Sequence, residues 1–105
     1  MNILLKNGRL IDPVSDRDET LDVHIVDGKI EKLGPNIPVS SSTQVFELKG
    51  RIIAPGFMDM HVHFREPGFE HKETILTGCT SAEAGGFTAV VCMPNTKPAI
   101  DDESV

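Results

Sequence analysis

The run Phe87-Thr88-Ala89-Val90-Val91-Cys92-Met93 limits the folds open to this chain more than any other stretch. It is apolar and β-branched without polar alternation, the pattern of a strand buried on both faces, which calls for a parallel sheet with helices packed over it. What precedes it fits. Residues 57–64 read as a strand, and residues 71–84 set Ile75, Leu76, Cys79 and Ala82 on a helical stripe that Gly85-Gly86 ends. Strand, helix and strand with short links make a βαβ unit.

The earlier half has a different texture. Residues 2–5 and 9–11 flank Asn7-Gly8, and residues 21–26 and 29–33 flank Asp27-Gly28. Both dipeptides predict hairpins, because two-residue hairpin turns need positive φ angles that Asn and Asp tolerate and Gly prefers. A polar loop over residues 40–43 leads to a third strand pair, residues 44–48 and 51–53, around Lys49-Gly50. Two architectures therefore meet near Pro55: a β-rich part over 1–54 and an α/β part over 55–105. At the far end, Asp101-Asp102-Glu103-Ser104 reads as a helix start with acids facing the positive end of the helix dipole, cut one residue later. The expectation is a chain cut short within a larger fold.

Length and charge narrow the partners. With 105 residues the core is modest, and a net charge of −6 with scattered Lys and Arg excludes the electrostatic footprint of a nucleic-acid or acidic-lipid binder. No apolar run reaches the roughly 18 residues of a membrane span, and no N-terminal segment looks like a leader. Cys79 and Cys92 lack paired spacing and are expected to be reduced, small buried hydrophobes of a cytoplasmic protein.

The residues with most chemistry lie in Asp59-Met60-His61-Val62-His63-Phe64-Arg65-Glu66-Pro67-Gly68. On a strand, side chains alternate, so Asp59, His61, His63 and Arg65 share one face and Met58, Met60, Val62 and Phe64 the other. An apolar outer face under helices, with polar groups at the C-terminal end of the inner face, is how the first strand of a (β/α)8 barrel is built. Two neutral imidazoles there suit a divalent first-row metal such as zinc; on spacing alone they read equally as satisfied interior histidines. Arg65 offers a planar fork for a carboxylate, or a local ion pair with Glu66. Asn95, just past the second strand, reaches the same rim or shapes a Pro-flanked turn. Asp59 is left without an assignment. His24 and His71 read as a strand residue and a surface residue, outside any site.

The stretch from Pro55 to Asp102, with HVHFREPG and MPNT as its most specific parts, resembles bacterial-type dihydroorotases of the amidohydrolase superfamily. The preceding LLKNGRLIDP and VDGKIEKLG resemble the N-terminal strands of that family. The resemblance implies a sandwich domain begun by 1–54 and a metal-dependent hydrolase barrel whose first strand, helix and second strand lie in 55–105. It implies reversible, zinc-dependent cyclisation of N-carbamoyl-L-aspartate to L-dihydroorotate in pyrimidine biosynthesis, with one or two zinc ions. His61 and His63 correspond to metal ligands, and Arg65 and Asn95 to residues that bind the substrate carboxylate. The remaining ligands and the general acid/base Asp belong to later barrel strands, so no catalytic acid or base is expected here and the 105 residues alone are expected to be inactive. Allantoinases, which tend to carry Asn where this chain has Arg65, other cyclic amidases, and a non-catalytic subunit are the alternatives. A homo-oligomer or another enzyme of the pyrimidine pathway stays open as partner.

Overall fold

Strand formers broken by Gly and Asp turns dominate the first half of the chain, and there they build a single sheet. The computed structural model describes residues 1–105, which divide into two units, Met1–Pro55 and Gly56–Val105. In the first, β1 (Asn2–Asp12), β2 (Arg17–Val26), β3 (Lys29–Gly34), β4 (Gln44–Glu47) and β5 (Ile52–Ile53) form a five-stranded sheet in the order β3-β2-β1-β4, with β5 also on β1. β1 pairs antiparallel with β2, and β2 with β3 through the Asp27-Gly28 turn, whose φ angles of 48° and 77° are those the dipeptide predicts. A sandwich requires a second sheet, and these residues form one only.

Two turn expectations are corrected. Asn7-Gly8 does not reverse the chain: β1 runs through it, and the register steps from Leu5↔Val23 to Gly8↔Leu21, one residue more on β1 than on β2. That is a β-bulge, with Asn7 in the left-handed region at φ 59° and its N–H donated to Asp22 Oδ1 at 2.9 Å. Gly8 has no room for a Cβ, because the Ile53 side chain fills the space. Lys49-Gly50 likewise joins no hairpin, since β4 and β5 both lie parallel to β1, end to end along its edge. Leu10, Leu21 and Val23 form the core of this sheet, with Leu5, Ile25, Leu33 and Ile53 against it.

The second unit is a βαβ unit: β6 (Phe57–Val62), α1 (Ile75–Ala84) and β7 (Phe87–Cys92), with β6 and β7 parallel from Phe57↔Phe87 to Val62↔Cys92. Helix α1 begins at Ile75 rather than at residue 71, because Thr74 caps it: its hydroxyl accepts from Thr77 N–H at 3.1 Å while its own N–H donates to Thr77 Oγ1 at 3.0 Å. The Glu66 carboxylate accepts from Ile75 N–H at 2.7 Å, closing a second orphan donor. Residues 101–104 form a turn in place of the expected helix start, with Asp102 accepting from Ser104.

Burial in this unit departs from expectation. A helix of ten residues is the only layer on the two-stranded sheet, so β7 is not buried on both faces: Phe87, Ala89 and Val90 are half-buried while Val91 is exposed. Met58 and Met60, expected under helices, are 61% and 71% exposed. Cys79 and Cys92 are free and exposed, not buried. Phe64, packed on the bare backbone of Gly78, is the one buried large side chain of the unit.

Candidate functional site

Strand β6 delivers His61 near its end, and His63 follows just after the pleat stops at Val62. The His63 ring lies against that of His61, with centroids 5.1 Å apart and planes at 60°. Their Nε2 atoms stand 3.2 Å from each other. Asp59 Oδ1 accepts from His61 N–H at 3.0 Å, so the carboxylate left unassigned by the sequence braces the backbone at the first histidine.

The sheet then brings in Asn95. Met93 N–H donates to Val62 O at 2.8 Å, extending the β6–β7 ladder past the end of β7. Asn95 Oδ1 comes to 2.9 Å from His63 Nδ1, a contact across 32 residues that the sequence reading did not contain. The loops after the two strands are joined by Lys97 N–H donating to Pro67 O at 3.0 Å. Gly68 sits in this junction at φ 101°, where a Cβ would strike the Lys97 carbonyl oxygen, so both backbone angle and space require glycine. Glu70 accepts from Gly68 N–H at 2.9 Å, and that bond holds its carboxyl below the usual range.

Arg65 opens the loop that leaves the strand. It is half-buried, its carbonyl accepts from Phe69 N–H at 2.8 Å, and its guanidinium forms no ion pair. The local pairing with Glu66 is thus not made, because Glu66 is spent on the N-terminus of α1. His24 bonds Asn2 Oδ1 at 2.7 Å within the first sheet, and His71 is exposed and makes no hydrogen bond. A cleft of about 670 Å3 lined by Asn7, Arg9, Lys49 and Arg51 in the first unit holds none of the expected site residues. A cavity of about 270 Å3 in the second unit reaches His63, Asp59 and Glu73.

The histidine pair fits a metal of zinc type. Tetrahedral zinc with Zn–N bonds near 2.0–2.1 Å puts ligand nitrogens about 3.3–3.4 Å apart, close to the observed separation. A ring that donates from Nδ1 to an amide oxygen keeps its Nε2 lone pair for a metal. Within these residues no third His, Cys, Asp or Glu joins the pair, so the chain supplies two ligands, not a closed set.

Comparison with known proteins follows the same direction. Residues 50–105 match the family described as dihydro-orotase-like. Over 105 residues the chain is 56% identical to a dihydroorotase of Solibacter usitatus and 53% identical to one of Lactococcus lactis subsp. lactis, covering all of this chain and 24% and 25% of those proteins. It thus spans about a quarter of the length of the curated relatives it matches. Among solved structures, an L-hydantoinase (dihydropyrimidinase) from Arthrobacter aurescens superposes with TM-score 0.78 at 27% identity, over 93% of this chain and 22% of that one. A dihydroorotase superposes with TM-score 0.52 at 31% identity, over 64% of this chain and 17% of that one.

Proposed function

The chain belongs to the dihydro-orotase-like family, and from that premise we propose that it forms part of a zinc-dependent cyclic amidohydrolase that interconverts N-carbamoyl-L-aspartate and L-dihydroorotate. The reaction closes the ring by forming an amide C–N bond with loss of one water, and the reverse direction hydrolyses that bond. In this reading residues 1–54 open the sandwich domain and residues 55–105 supply the first strand, helix and second strand of the catalytic barrel. The observation that carries it is the convergence of His61 Nε2 and His63 Nε2 at 3.2 Å, with Asn95 on the outer nitrogen of His63.

His61 and His63 hold the metal in this proposal. One or two zinc ions, when bound, supply Lewis-acid polarisation of the amide carbonyl. Arg65 binds the substrate carboxylate: its guanidinium has no protein partner, and a planar fork matches a carboxylate with two parallel hydrogen bonds. Asn95 adds an amide donor to the same carboxylate. No residue of this chain is assigned the acid–base role. Two free, exposed thiols agree with a reducing cytoplasmic setting, and no helix is long and apolar enough to cross a membrane. Allantoinase is disfavoured by Arg65. A non-catalytic subunit is disfavoured because it has no physical need for an open imidazole pair and a free guanidinium on one rim.

Grafting residues 1–105 in place of the aligned quarter of the Solibacter usitatus relative tests the proposal. The chimera is expected to hydrolyse dihydroorotate with bound zinc, to lose both metal and activity on His61→Ala, and to keep metal on Arg65→Lys. The latter variant should fall about 10- to 100-fold in kcat/KM, the worth of one charged hydrogen bond. A chimera that turned over allantoin or hydantoin in preference to dihydroorotate, or an Arg65→Lys variant stripped of zinc, would overturn the reading.

A further inference from the structure

The side chain of Asn95 divides its two polar atoms between two tasks. Its Oδ1 lies 2.9 Å from His63 Nδ1, while its Nδ2 makes no hydrogen bond and the residue is exposed. An amide oxygen can only accept, so the proton of the neutral His63 ring resides on Nδ1 and the lone pair on Nε2. That Nε2 is the atom facing His61 Nε2 at 3.2 Å. With His63 fixed as acceptor on that side, the pair without a metal is closed by a proton on His61 Nε2, and His61 presents its own lone pair only after that proton has moved to Nδ1 through solvent. The contact is held from outside the side chains: the ladder continues from Val62 O to Met93 N–H, and Lys97 N–H donates to Pro67 O on the far side of Asn95.

We infer that Asn95 is a positioning residue for the histidine pair, locking His63 in the Nδ1–H tautomer through Oδ1 while Nδ2 stays free for a carboxylate of the substrate. One amide plane then couples orientation of a metal ligand to recognition of an anion. A carboxylate that accepts from Nδ2 polarises the amide and strengthens Oδ1 as acceptor, so the two contacts reinforce each other. The words metal and substrate in this inference rest on the function proposed above; the tautomer does not.

The experiment uses the 105-residue chain itself, labelled with 15N and free of metal, and reads the ring nitrogens of His63 by long-range 1H–15N correlation at a pH where the rings are neutral. The parent is expected to show a protonated Nδ1 and an unprotonated Nε2. Asn95→Leu, which keeps side-chain bulk without an acceptor at an exposed position, should return His63 to the Nε2–H tautomer that unconstrained imidazole favours. Asn95→Asp, which retains the acceptor, should restore the parent pattern. Zinc titration, with His61→Ala as baseline, should show about 10- to 100-fold weaker binding for Asn95→Leu and recovery for Asn95→Asp. A parent His63 protonated on Nε2 would overturn the inference, as would an Asn95→Leu chain with unchanged tautomer or unchanged zinc affinity. Enzymatic turnover is not among these readouts, so failure of the dihydroorotase proposal registers separately.

Discussion

Replacing Gly78 with alanine sets two effects of opposite sign against each other in the unit that carries the histidines. In an ordinary helix interior Gly→Ala gains about 1 kcal/mol, since glycine loses more backbone entropy on folding. At Gly78 the new Cβ would meet Phe64 Cε1 at 2.6 Å and Cδ1 at 2.7 Å, with Glu73 Oε1 at 3.1 Å. Carbon atoms pack best at about 3.5–4.0 Å, so the ring must retreat by about 1 Å. Phe64 is only 9% exposed and sits between the strand end and the helix, with no flexible tip to give way. Overpacking of this kind costs about 1–3 kcal/mol, which exceeds the propensity gain and leaves a net loss of about 1 kcal/mol. Urea denaturation followed by circular dichroism at 222 nm reads this unit, because α1 is the one helix of the chain. A double-mutant cycle isolates the cause: with Phe64→Leu in place the clash is relieved, and Gly78→Ala should become neutral or stabilising. If Gly78→Ala raises stability by the full helix-propensity gain in the parent background, the contact argued here does not hold the strand end.

Three further outcomes follow from the first unit and the thiols. Asp22 is 1% exposed and accepts from the N–H groups of Asn7 and Ile37 at 2.9 and 3.0 Å, so Asp22→Ala leaves one buried and one half-buried donor unpaired. It should cost about 3 kcal/mol or more in denaturant unfolding and abolish hydrogen-exchange protection at those two amides. Asp18 is held below its ordinary value of 3.8 by hydrogen bonds from Arg9 and then by the guanidinium charge. A depressed folded pKa gives stabilisation that is present above 3.8 and lost as pH falls through the folded value, so Arg9→Ala should move the Asp18 titration midpoint upward by NMR and flatten that part of the acid-unfolding profile. Cys79 and Cys92, both exposed, should react with a thiol reagent in the folded chain at rates near those in urea; protection of either would contradict the burial described.

Local patterns that a fold satisfies locally were legible. The Asp27-Gly28 hairpin, the presence of a helix before Gly85-Gly86, and the parallel pairing of the strands either side of that helix depend on turn chemistry and periodicity within a short window, although Ile75, Leu76 and Cys79 of the expected stripe are exposed. Asn7-Gly8 carries the same turn chemistry yet forms no hairpin, because a positive φ serves a bulge as well as a hairpin. What decides is the partner: the Asp22 carboxylate, 15 residues away, takes the Asn7 N–H that a bulge leaves out of the ladder. Burial of β7 and of the two cysteines departs from the sequence pattern for another reason. An apolar strand states what it is suited to have on both sides, whereas exposure depends on how many layers are present, and here a single helix packs on the sheet.

The site shows the same division at closer range. Strict alternation predicts His61 and His63 on one face at a spacing of about 7 Å, two residues along a pleat. The strand ends at Val62, and the two rings lean together over that backbone spacing, so their Nε2 atoms approach to 3.2 Å, the convergence on one ion that the spacing allows. The choice between ligand and interior histidine, even on spacing, turns on what touches the second nitrogen of His63. That partner is Asn95, and it arrives only because the parallel register of β6 and β7 carries Val62 to Cys92 and then to Met93. A residue type and a position can be read from a sequence, but the proton on an imidazole belongs to a pairing between strands, so the chemistry of His63 is decided 32 residues from the motif that first drew attention to it.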